Sequence, residues 1–307
     1  MHIPNHMLEG SICSVTAIIS AVGVIVAAFF AFRSKNKPIA SQFGAVTAFI
    51  FAGQMMNFSI QNGTSGHLLG AVLAVTLLGL PFGILSMAVV VTSQCLIFSD
   101  GGTAVLGANI LNMSLIGSAA AGMFHCIFSK KLKKGSIKYA ISLGMVSWMS
   151  IMMAALACSI ELSLAGTISF LKVVGAMLNT HAIIGIGEAG ITVAAYYLFA
   201  SNIMTVSRKK SVVVPLFSAG IIAVLLSPFA SGFPDGLEWV AAKYNFLHES
   251  APTFVTPFSD YAISFISNEV VSTSLAGLSG VVFTFFMAWG VFALVDSFKC
   301  KRVKQYC

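Results

Sequence analysis

Charge is what this sequence has least of. Only 9% of its 307 residues are Asp, Glu, Lys or Arg, against about 25% in a soluble globular domain. Hydrophobic residues make up 57% and the mean hydropathy is +0.92, so the chain reads as a polytopic membrane protein. The net charge of +7 does not point to nucleic acid, because the basic residues sit in short clusters between apolar runs, where cytoplasmic flanks are expected. The six cysteines, Cys13, Cys95, Cys126, Cys158, Cys300 and Cys307, include no Cys-x-x-Cys. Most lie in or beside apolar segments and read as small core residues. There is no Gly-x-x-x-x-Gly-Lys-[Ser/Thr] phosphate loop, so any ATP hydrolysis belongs to a partner. Without His-Glu-x-x-His, or an arrangement of nucleophile and base, a membrane metalloenzyme is disfavoured. The expectation is a non-enzyme with no catalytic residues and no cofactor. No basic region precedes the first apolar run, so no cleavable signal peptide is expected.

What is present is a series of apolar spans, each needing about 20 residues to cross a bilayer as a helix. The first, about Ser11 to Phe32, ends at Arg33-Ser-Lys-Asn-Lys37. That cluster belongs inside, which leaves the N-terminus outside. A second span, about Ile39 to Phe58, returns to the outer face and the loop Ser59 to Gly66, with His67 at its end. Three crossings fit before the cluster Lys130 to Lys138. The first of them, Leu68 to Leu80, is short and broken at Pro81, so a bent or partly re-entrant path over 68–98 is an alternative. Spans from Tyr139, Ala182, Val212 and Val271 complete about nine crossings, seven before Arg208-Lys209-Lys210 and two after, with the C-terminus in the cytoplasm. We therefore expect an all-α membrane helix bundle of two modules, 1–208 and 209–307. The second carries the longest outer segment, Ser231 to Asn268.

The chemistry-bearing stretch is the start. A histidine at position 2 lets one short peptide offer three nitrogens to a cation: the Met1 α-amine, the His2 backbone nitrogen and the His2 imidazole. Three in-plane nitrogens leave one corner of a square, and nitrogen donors in tetragonal geometry suit Ni(II) or Cu(II). His67, on the same side of the membrane, is the candidate for that corner. Metal must displace the amine proton and ionise the amide, so affinity should fall with pH. Mg(II) and Ca(II) prefer oxygen ligands and are rejected by chemistry.

Four ordered motifs in this chain resemble the membrane substrate-capture component of nickel and cobalt energy-coupling-factor transporters. They are Met1-His-Ile-Pro4, Gly63-Thr-Ser-Gly-His-Leu-Leu-Gly70, Asp100-Gly-Gly102 followed by Leu106-Gly-Ala-Asn-Ile-Leu-Asn-Met113, and His181-Ala-Ile-Ile-Gly-Ile-Gly-Glu-Ala-Gly-Ile-Thr192. Pro234-Asp-Gly-Leu-Glu238 and the last helix look like the small accessory membrane subunit of the nickel branch, fused into the same chain. The resemblance implies capture of Ni(II) or Co(II) as transported substrate by Met1, His2 and His67 at the outer face. It also implies a transmembrane coupling subunit and a pair of cytoplasmic ATPases as partners, in a prokaryotic inner membrane. The chain departs from the family at Asn5-His6, where Asp-Gly is usual, which makes His6 an extra ligand or a residue of the mouth.

Two sets of roles stay open at this stage. His181 and Glu188 are seven residues apart on one helical face, either as a metal relay or as paired structural contacts. Asp100 and Asn109 are expected to satisfy backbone groups near turns, Thr64 and Ser65 to orient a ligating imidazole, and His248 has no assigned part. A self-sufficient secondary permease or channel is the competing function, but it needs a polar path that the few intramembrane charges do not trace.

Overall fold

The computed structural model describes all residues except 129–130, 206–209, 248–255 and 304–307. The expected boundary at 208/209, Lys130, the cluster at 208–209 and His248 therefore lie outside the described residues. Among the described residues, seven helices are long and apolar enough to cross a membrane. We number the helices α1 Ser11–Arg33, α2 Ala40–Gln54, α3 Ala71–Leu78, α4 Leu80–Phe98, α5 Leu106–Asn109, α6 Gly117–Phe128, α7 Ile137–Leu164, α8 Phe170–Thr205, α9 Lys210–Ile221, α10 Gly236–Lys243 and α11 Glu269–Val303. A π-helical turn, Ile110–Ile116, joins α5 to α6, and a second, Ile222–Leu226, extends α9.

The two further crossings expected from apolar runs correspond to α2 and α3. With 15 residues, α2 is buried from Phe43 to Gln54. The 8 residues of α3 rise only about 12 Å, less than half of a hydrocarbon core of about 30 Å. Hydropathy cannot distinguish an apolar run surrounded by protein from one surrounded by lipid, and these two are surrounded by protein. The break foreseen at Pro81 is present: Gly79 has φ +87°, and Pro81 lies in the first turn of α4, where its missing N–H costs nothing. By contrast α1 exposes Val15, Ile18, Val22, Ile25, Phe29 and Phe30, the surface of a helix made for lipid. The accessory helix α11 packs along α2, and Lys37 reaches Asp296 at 2.6 Å at the end remote from the N-terminus.

Candidate metal centre

The first four residues enter the bundle without helix or turn, and a turn follows at Asn5-His6. Asn109 holds the entering segment in the manner of a strand neighbour: the Ile3 N–H donates to Asn109 Oδ1 at 2.8 Å, and Asn109 Nδ2 donates to the Ile3 carbonyl at 3.0 Å. The Gly102 N–H adds a bond to the same carbonyl at 2.9 Å. A side chain at Gly102 would collide with the Asn5 backbone, which explains the second glycine of Asp100-Gly-Gly102.

His67 is set by its own loop. A two-stranded hairpin pairs Phe58 with Gly66 and Ser59 with Ser65, and Gly70 at φ +78° turns the chain into α3. The N–H groups of Leu69 and Gly70, orphans at a helix start, donate to the two oxygens of Glu188 at 2.6 and 3.0 Å. Both Glu188 oxygens are thereby engaged in shaping this loop. His67 Nδ1–H donates to the Leu68 carbonyl at 2.9 Å, so this carbonyl, not Thr64 or Ser65, fixes the tautomer.

These two supports bring Met1, His2 and His67 together. The Met1 amine lies 3.0 Å from His67 Nε2, and the two imidazoles stack with centroids 5.4 Å apart. Bonds of about 2.0 Å to a first-row dication place donors at a right angle about 2.8 Å apart, so this edge already has the spacing of adjacent corners.

Other groups hold these three residues in place. His2 Nδ1 lies 3.0 Å from Asp100 Oδ1, and His2 Nε2 lies 3.1 Å from Gln94 Oε1. Asp100 also accepts from the Tyr261 hydroxyl at 2.6 Å. The Met1 amine forms an ion pair with Asp235. That aspartate begins α10 through a capping box: Asp235 Oδ1 accepts from the N–H groups of Leu237 and Glu238, and Glu238 Oε2 accepts from the Asp235 N–H. The Asp235 segment is docked on the His67 hairpin, where Ser65 donates its N–H to the Pro234 carbonyl and its hydroxyl to the Phe233 carbonyl, both at 2.8 Å.

Sequence reasoning missed Asp235, Tyr261 and Gln94. The Pro-Asp-Gly-Leu-Glu motif was the available signal, but nothing in it says that its aspartate meets a residue 234 positions away. His6 is not brought to the centre; it is exposed, with Nδ1 4.0 Å from Glu9. His181 donates Nδ1–H to Met177 within α8 at 2.8 Å, and its Nε2 has no partner. It packs under Gly236, where a Cβ would come within 3.0 Å of the ring.

Burial, then the Met1 amine and the His2 ring, push the His67 imidazole down to about 3, leaving it neutral with its lone pair on Nε2. Burial draws Asp235 upward, but the Met1 ammonium and His67 outweigh it and hold the carboxyl below the usual range. Asp100 is held low in the same way by His2 and Tyr261. A sign follows for stability. An unfolded histidine titrates near 6.5, above the folded value, so acid favours unfolding from about pH 6.5 down to about 3. By pH 5 the loss from His67 is about 1–2 kcal/mol. The carboxylates act lower: their contribution is complete above about pH 4 and fades as pH falls toward their folded values. Melting temperatures of the metal-free chain should decline through the upper window, with a flatter slope in His67→Gln. Equal slopes would assign the effect to other groups.

Residues 2–206 match the model of the cobalt uptake substrate-specific transmembrane region. The chain belongs to that family. Residues 209–297 match the PDGLE domain. Over 92% of this chain and 95% of its own length, a provisionally named fused nickel transport protein NikMN of Archaeoglobus fulgidus is 32% identical. A cobalt transport protein CbiM of Acetoanaerobium sticklandii is 29% identical over 63% of this chain and 83% of its own. A crystallised transition metal transporter, 31% identical, superposes with a TM-score of 0.58 over 69% of this chain and 98% of its own. This member of the cobalt-uptake family is a metal transport protein with an accessory PDGLE domain in the same chain.

Proposed function

We propose that the chain captures one Ni(II) or Co(II) at the outer face through the Met1 amine, the His2 backbone nitrogen, the His2 imidazole and His67 Nε2. The observation that carries the reading is the 3.0 Å approach of the amine to His67 Nε2, with His67 Nδ1 already committed to a carbonyl. On this reading the N-terminus is outside and Arg33 and Lys37 are cytoplasmic, in keeping with the placement of positive charge. The ion is cargo; a coupling subunit and paired ATPases in the inner membrane supply the energy, because this chain has no phosphate loop. The donors must first leave Asp235 and Asp100, and protons leave as nitrogen binds metal. The fused PDGLE domain favours nickel, in line with the names of the fused relatives.

The test is titration of the purified chain, its Met1 terminus free, with Ni(II) and Co(II). One ion per chain is expected, with affinity about 100-fold weaker in His67→Ala, where water takes the vacant corner, and binding lost in His2→Ala. Parent-like binding in both variants would refute the chelate.

A further inference from the structure

Hydrogen bonds among His2, Asp100, Tyr261 and Gln94 close into a ring. His2 Nδ1 lies 3.0 Å from Asp100 Oδ1, and Asp100 Oδ2 accepts from the Tyr261 hydroxyl at 2.6 Å. That hydroxyl accepts from Gln94 Nε2 at 3.2 Å, and Gln94 Oε1 lies 3.1 Å from His2 Nε2. His2, Asp100 and Gln94 fall within the stretch matched to the cobalt-uptake family, whereas Tyr261 belongs to the PDGLE domain.

The bonds in this ring can run in one sense only. An ionised carboxylate accepts and does not donate, so the single hydroxyl hydrogen of Tyr261 goes to Asp100. Toward Gln94 the hydroxyl is left as an acceptor, which turns the amide NH₂ to Tyr261 and the amide oxygen to His2. Gln94 is fully buried, where an amide end left unpaired is costly. The His2 nitrogen that faces the amide oxygen, Nε2, therefore carries a hydrogen. The bond made by one imidazole nitrogen decides what the other is free to do. Nδ1 is the nitrogen placed along the side chain to close a chelate ring with the His2 backbone nitrogen, and a hydrogen fixed on Nε2 reserves it for that.

Tyr261 is itself seated by contacts outside the ring. Its aromatic face stacks on Phe98 with centroids 4.6 Å apart, and Phe98 follows Gln94 by about one turn of α4. The Phe258 N–H donates to the Ile97 carbonyl and the Tyr261 N–H to the Phe258 carbonyl, both at 3.0 Å. Tyr261 has φ +57°, a conformation that costs free energy for a bulky residue and persists where surrounding contacts enforce it.

We propose that Tyr261 is a positioning residue of the metal centre: acting through the Gln94 amide, it fixes which His2 nitrogen is offered to the ion. The PDGLE domain thereby sets the donor arrangement of the neighbouring module. The proposal rests on the capture reading above and gives the fused domain a part in it. Without the Tyr261 hydroxyl the Gln94 amide is free to turn its NH₂ toward His2. Nε2 then accepts, and the ring hydrogen moves to Nδ1, the nitrogen the ion needs.

The test is calorimetric titration of the full chain with NiCl₂ in Tyr261→Phe, Gln94→Leu and the double variant. Tyr261→Phe keeps the aromatic stack and is expected to weaken nickel affinity about 10-fold, and Gln94→Leu about 10- to 100-fold, as for other partners behind a metal ligand. The double variant should bind no more weakly than Gln94→Leu alone, because residues that act through one another are not additive. Parent-like affinity in Tyr261→Phe, or a Tyr261 effect that persists in full beside Gln94→Leu, would overturn the proposal. Nickel held by four in-plane nitrogens is diamagnetic, so the ring-nitrogen resonances of isotope-labelled histidine give a second reading. The His2 signals should move in Tyr261→Phe while those of His67 stay. Equal movement of both would show that the PDGLE segment had come unseated, which also overturns it. His67→Ala is run in parallel: parent-like affinity there rejects the capture reading, whereas a weakened His67→Ala beside an unaffected Tyr261→Phe rejects the positioning role alone.

Discussion

Acetylating the Met1 amine, or adding one residue ahead of it, is expected to lower Ni(II) affinity by about 10⁴-fold, or roughly 5.5 kcal/mol. The effect is larger than for His67→Ala because the terminus anchors three donors. An amide nitrogen is a poor donor, and without the amine the adjoining chelate ring through the His2 backbone nitrogen cannot close. The change also strips Asp235 of its cationic partner and leaves the carboxylate only its backbone N–H donors, a loss that is costly for a largely buried charge. Met1 is 7% exposed, so an added group must displace contacts the residue already makes. Calorimetric titration of chains with free and blocked termini reads the difference. Retention of one tightly bound ion by the blocked chain would rule out the terminal chelate, whatever the histidine variants show.

Glu188→Ala should have the second largest effect, this time on stability. Glu188 is fully buried, and both oxygens accept backbone N–H groups at the start of α3. Removing the carboxylate leaves two donors unsatisfied at about 1–3 kcal/mol each and opens a void as well. A loss of about 3–5 kcal/mol is expected in thermal or denaturant unfolding. Leu69 and Gly70 directly follow the His67 turn, so nickel affinity should fall along with it. Glu188→Gln keeps one acceptor and should sit between the two. A Glu188→Ala chain with parent stability and weakened transport would instead favour the relay role that its spacing from His181 suggested.

The parts of this site that could be read in the sequence are those carried by residue identity. A histidine at position 2 suggests a chelate without reference to the fold, and counting crossings put His67 on the same face, where the structure brings it 3.0 Å from the Met1 amine. Asn109 was expected to serve backbone groups near a turn, and it does so for Ile3. The partners from the PDGLE module were not legible, because contacts between Asp235 and Met1, and between Tyr261 and Asp100, depend on how helices pack. The apolar runs carry little information about packing: α1, α2 and α4 are hydrophobic on every side, so no stripe marks the face that meets a neighbour. The same lack of a stripe hides the difference between α2, buried in protein, and α1, buried in lipid.

The two oxygens of Asp235 divide their work: Oδ1 starts α10, while Oδ2 reaches the Met1 amine. One turn of helix in the PDGLE module therefore has its charge balanced only when the polypeptide begins with a free amine. The fold proofreads its own first residue. On the proposed reading, a chain blocked at Met1 would lose its metal donors and, in the same event, the ion pair that ties the PDGLE segment to them. The seating of the PDGLE segment and the state of the N-terminus are thus linked through one carboxylate.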